Sequence, residues 1–151
     1  MAHVLSALLL SGEVLRPESS RQLEGWMRKC TTGLTALRAG VPAGWITADK
    51  TGAGANGTRN DVALLRRPGR APIVIAAYLT GATAIDADQR NAALAAVARA
   101  VCADMVPDAK LASIAKLGRQ SYSAGRTTVT VPKEAGDLEI SYPHIRRLTS
   151  H

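Results

Sequence analysis

Apolar positions along the chain change period several times, and each change predicts a new element. Residues 2–11, AHVLSALLLS, carry a helical stripe that Gly12 stops. RPESSRQLEGWMRKC, 16–30, predicts a second helix, with Pro17 in its first turn, Glu18 at the positive end of the dipole and Arg28 and Lys29 at the other. Leu23, Trp26 and Met27 share one face of it and are expected in the core. TTGLTALRAGVPAG is a glycine-punctuated connection. Three strands are then predicted at GWITADKT, RNDVALLRR and APIVIAAYLTG, the last a continuous apolar run suited to burial on both faces. Hairpin-length separators, a glycine-rich stretch and PGR, make this sheet antiparallel. DADQRNAALAAVARAVCADM, 86–105, predicts a long helix with acidic residues at its start and an Asp placed to cap. The expected fold class is therefore α+β (α/β in the loose sense), an antiparallel sheet of at least three strands flanked by helices.

Beyond Pro107 the pattern shifts to a short helix at 108–119, a strand at RTTVTV, a turn at PKEAGD and a strand at DLEISY. The chain thus divides into residues 1–105 and an unassigned tail, 106–151, with the helix-strand-strand order needed to complete a sheet edge. One expectation pairs TTVTV with IVIAAY, which would otherwise be an open, aggregation-prone edge. The other is an unrelated extension.

Composition narrows the class. With 151 residues and 46% hydrophobic side chains, the chain supports a single core, built from Ala, Leu, Val and Ile because Phe is absent. The net charge is +7, and 14 of the 19 basic residues are Arg. They are scattered and lack aromatic interleaving, which favours a basic surface over a nucleic-acid module. Cys30 and Cys102 have neither C-x-x-C spacing nor neighbouring histidines, so no metal site is expected, and the sequence leaves open whether they pair. The N-terminal apolar run has no basic region before it and no clear cleavage site, so a helix is expected rather than a signal peptide. No stretch has the length of a membrane span.

DKTGAGANGTRND, 49–61, contains G-x-G-x-x-G at Gly52, Gly54 and Gly57. A dinucleotide site needs those glycines to lead from a strand into a helix, with an acidic residue about 20 positions on. Here a strand follows and that acid is lacking, so a cofactor-binding loop is rejected. With the turn centred between Gly54 and Ala55, Lys50 is expected opposite Arg59. Two facing cations either converge on an anion, with the Thr51 hydroxyl beside them, or splay into water.

WMRKCTTG, LRAGVPAGW, DKTGAGANGTRND and RAPIVIAAYLTG, in this order, resemble the C-terminal part of class A serine β-lactamases over about residues 2–105. The resemblance implies an antiparallel five-stranded sheet flanked by helices, no metal or organic cofactor, and a small-molecule β-lactam as substrate. It places Lys50 in the Lys-Thr-Gly element near the substrate carboxylate, with Thr51 as a hydroxyl donor to it. Gly52 allows close approach, the Ala53 N–H is half of the oxyanion hole, and Arg59 also answers the carboxylate. The family's Ser-x-x-Lys nucleophile, Ser-Asp-Asn loop and general-base Glu all lie upstream of this element and find no match in that order. SIAK at Ser113–Lys116 has the first spacing but sits in the unmatched tail, where a surface helix pair is the plainer reading. The chain alone is therefore expected to turn over little. Two alternatives are a non-catalytic anion-binding or β-lactam-binding module and a fragment complemented by the nucleophile-bearing portion. The resemblance implies a periplasmic or secreted location.

Overall fold

The computed structural model describes residues 1–103 in full and the backbone of residue 104 and of three later strands, 119–123, 126–130 and 137–143. Helices α1 (Ala2–Leu9) and α2 (Pro17–Arg28) precede a short 3-10 helix, Leu37–Gly40. Strands β1 (Ile46–Gly54), β2 (Thr58–Arg66) and β3 (Ile73–Thr80) follow, then α3 (Ala87–Asp104), β4 (Arg119–Ser123), β5 (Arg126–Thr130) and β6 (Asp137–Pro143). The expected short helix at 108–119 lies almost wholly outside the described residues, as does Ser113. All six strands form one antiparallel sheet in the order β1-β2-β3-β6-β5-β4.

Alternation along β1–β3 splits the sheet into two faces, as the pleat requires. Ala48, Leu64 and Val74 meet Leu5, Leu9 and Met27 of α1 and α2. On the other face Ala63, Leu65, Ile75, Ala77 and Leu79 meet Leu37, Leu94, Val97 and Val101 of the 3-10 helix and α3. Residues 73–77 of β3 are all buried, as the unbroken apolar run predicts. Each fully buried Leu or Ile contributes roughly 1.5–3 kcal/mol, so these two layers set where the strands lie. A bidentate pair fastens α2 to β2, with Arg66 Nε to Glu24 Oε1 at 2.9 Å and Nη2 to Oε2 at 2.7 Å. At the start of α3, Asp86 Oδ1 accepts from the Gln89 N–H (2.8 Å) and Gln89 Oε1 accepts from the Asp86 N–H (3.0 Å), a reciprocal cap.

Three expectations are corrected. Trp26 is 63% exposed, because only Met27 and part of Leu23 reach the sheet from that turn of α2. The strand beside β3 is β6, with Ala76 opposite Ser141 and Thr80 opposite Asp137. TTVTV stands one strand further out, because an additional strand, β4, occupies its other edge and makes β5 the middle of a three-stranded meander. The β1–β2 register pairs Gly54 with Thr58, so Lys50 faces Val62 and Arg59 faces Ala53. The cause is local. Asn56 and Gly57 both have positive φ (57° and 64°), and the Thr58 N–H donates to Ala55 O at 3.1 Å. The loop thus holds three residues, Ala55–Gly57, two of them left-handed, which puts the apex at Asn56 and away from Gly54-Ala55.

Candidate anion-binding site

The corrected register rearranges the expected cluster. Lys50 and Arg59 stand at positions of opposite parity, so their side chains leave opposite faces of the β1–β2 ribbon. Thr51 and Arg59 share a face, and the segment after α2 lies against both. Thr32 joins them. Its hydroxyl lies 2.6 Å from Thr51 Oγ1, and its carbonyl accepts from Arg59 Nη2 at 2.8 Å. Arg59 Nε donates to Asn91 Oδ1 of α3 at 2.7 Å, and Asn91 Nδ2 donates to Thr35 Oγ1 at 3.0 Å. Lys50 folds back along the strand, its Nζ donating to Thr51 O at 2.8 Å. Among the described residues neither Lys50 nor Arg59 makes an ion pair with a carboxylate. Their polar contacts are to neutral acceptors.

The hairpin tip is held from below. The Gly81 N–H donates to Asn56 O at 2.8 Å, and a Cβ on Gly57 would meet the Ala82 backbone at 2.3 Å. Ala53 is exposed one residue beyond Gly52. Cys30, half-exposed, has its Sγ 3.2 Å from Thr32 Oγ1, and that hydrogen bond, aided by the Lys50 charge, lowers its thiol pKa.

Beneath Thr51 lie two acids that sequence reasoning missed, Asp49 and Asp61, both fully buried. Asp49 Oδ1 accepts from Arg38 Nε at 2.7 Å and from Arg38 Nη2; Asp61 Oδ2 accepts from the Leu37 N–H at 3.0 Å. Burial raises the Asp49 carboxyl, and Arg38 opposes the rise. Asp61 is pushed up to about 7, by burial first and by the Asp49 charge second. A signal for Asp61 was present in the sequence. It shares parity with the apolar Ala63 and Leu65 that follow it in the same strand. Thr32, Arg38 and Asn91 carried no such signal, since only the fold brings them to β1 and β2.

The site thus offers a hydroxyl, a guanidinium and a nearby ammonium, all donors, beside the exposed end of an edge strand. No serine takes part in these hydrogen bonds among the described residues. The arrangement suits holding an anion.

The sequence profile described as the "Beta-lactamase enzyme family" matches residues 1–105. The chain belongs to that family. It is 46% identical over 99 residues to a β-lactamase of Amycolatopsis lactamdurans, covering 66% of this chain and 32% of that protein. Against a β-lactamase of Bacillus amyloliquefaciens identity is 45% over 94 residues, covering 62% and 30%. Among solved structures, the class A β-lactamase of the last common ancestor of Gram-negative bacteria is similar, with a TM-score of 0.67 and 50% identity over 70% of this chain and 40% of that one. The α+β class and the family resemblance are both borne out. The chain spans about a third of the length of the curated relatives it matches. No helix among the described residues is long and apolar enough to cross a membrane.

Proposed function

We propose that this β-lactamase-family chain holds the carboxylate of a β-lactam through Thr51 and Arg59, with Lys50 supplying further positive charge. The observation that carries this reading is the Thr51–Thr32–Arg59 arrangement. It presents a hydroxyl and a guanidinium on one face, with the guanidinium oriented by neutral acceptors and so left to answer an external anion. Gly52 lets a ligand approach the β1 backbone, and the Ala53 N–H is the proposed oxyanion donor. Serine acylation and hydrolysis of the lactam amide is the proposed reaction of the complete enzyme. The donors assembled here stabilise charge but attack nothing, so the chain alone is expected to turn over little. The share of its relatives' length that it spans favours a second reading, in which activity returns on mixing with the portion of such an enzyme that bears the Ser-x-x-Lys. A periplasmic or secreted location is proposed with the family.

Benzylpenicillin binding followed by calorimetry tests the clamp. Arg59→Ala is expected to weaken it by roughly 10- to 100-fold, the loss of a charge-assisted hydrogen bond. Unchanged affinity would refute the assignment. Rapid hydrolysis of a chromogenic cephalosporin by the chain alone, abolished in Ser113→Ala, would overturn the expectation of low turnover.

A further inference from the structure

Asp49 and Asp61 leave the same face of the sheet on adjacent strands, Asp49 opposite Ala63 and Asp61 opposite Thr51. They are therefore diagonal neighbours. Each has one oxygen accounted for, by Arg38 and by the Leu37 N–H. The other two, Asp49 Oδ2 and Asp61 Oδ1, are buried and have no partner among the described residues. One guanidinium compensates one charge, and a second bare charge at this depth is strongly unfavourable. One proton on the pair removes the second charge, and the Asp49 charge is close enough to raise the Asp61 carboxyl.

The segment lying on this pair is the one that builds the anion site. A Cβ on Gly33 would fall 1.7 Å from Asp49 Oδ2, so the Gly33 backbone rests directly on that oxygen. Four residues on, Leu37 donates to Asp61. Between and beside these anchors are Thr32, which contacts Thr51 and Arg59, and Thr35, which accepts from the Asn91 that steadies Arg59. The other charged or titratable groups around the pair are Lys50 from β1, Arg59 from β2, Arg38 from the 3-10 helix and Cys30 ahead of Gly33. From α3, Arg90 is turned away to the Ala82 and Ile85 carbonyls.

We propose that Asp49 and Asp61 share one proton and that its loss lifts residues 32–37 from the sheet, so that the Thr51–Arg59 clamp is assembled while the pair is protonated and loosened when both acids are charged. The proposal rests on the carboxylate reading of the clamp only for its effect on ligand. The position of Asp61 near 7 sets the transition in the neutral range.

The full chain is titrated with benzylpenicillin across pH 5.5–8.5. Wild-type affinity is expected to fall on the order of tenfold through neutrality. Asp61→Asn presents an uncharged amide whose oxygen still accepts from Leu37 at every pH, so its affinity is expected to stay high and flat. The same pH dependence in Asp61→Asn, or a flat wild type, overturns the proposal. A ligand-free NMR titration of wild type separates the two readings and does not need the variant to fold. If nothing binds penicillin at any pH, the carboxylate reading fails. The switch then stands if the Arg59 Nε–H and Thr51 signals move with the Asp61 carboxyl, and falls if they stay still while that carboxyl titrates.

Discussion

Asp61 makes stability depend on pH in a direction opposite to that of a salt-bridged acid. Its carboxyl rises from 3.8 to about 7 on folding, so between those values the folded chain binds the extra proton. Stability is therefore expected to decline as pH climbs from about 4 to about 7 and then level off, by on the order of 4 kcal/mol. Asp49, also raised, adds in the same sense. Glu24 acts oppositely, since Arg66 lowers its carboxyl below 4.5, and its contribution is lost only at still lower pH. Urea unfolding at pH 5 and pH 8 checks this. Asp61→Asn should shrink the difference between the two midpoints, and an undiminished difference would assign it to other groups. At this scale the sequence was half legible. Lys50, Thr51 and Arg59 could be read from one quoted stretch, but the partners that orient them come from residues 32, 35 and 91, which are distant along the chain from the strands they serve.

The β1–β2 hairpin shows how one turn decides a site. Moving the apex from between Gly54 and Ala55 onto Asn56, with three residues rather than two or four in the loop, changes the sum of facing positions from 109 to 112, which sends Lys50 and Arg59 to opposite faces. The elements themselves were readable because period, Pro17, Gly12 and the Asp86 cap are local signals. Their register was not, since it depends on which glycine takes positive φ. Gly57 also lies against Ala82, so Gly57→Ala combines left-handed strain with a backbone clash at 2.3 Å. A loss of about 2–4 kcal/mol is expected in thermal or urea unfolding. A change under about 0.5 kcal/mol would mean that the tip yields freely.

For the whole molecule, two cores on opposite faces of one sheet explain why the chain packs α1 and α2 on one side and α3 on the other. Trp26 escaped the sequence reading because helical spacing places a residue on a stripe without giving the stripe's width; at 63% exposure it lies off the face that Met27 buries. The tail was legible as strand-forming, but its pairing order follows from a three-strand meander in which only the last strand meets β3. Among the described residues the two sheet edges are thus β1, which carries the proposed ligand site, and β4.

The two thiols of the described region differ in a way that has a practical use. Cys102 is buried and its thiol is pushed up to about 11, whereas Cys30 is accessible, has a lowered pKa and is hydrogen-bonded to Thr32. A maleimide dye at pH 7 is therefore expected to modify Cys30 at least about tenfold faster than Cys102, as peptide mapping would establish. Equal rates would show that the α3 thiol is not shielded. With that selectivity the native chain carries its own attachment point, one hydroxyl away from Thr51, for an optical reporter on the proposed anion site that requires no engineered cysteine.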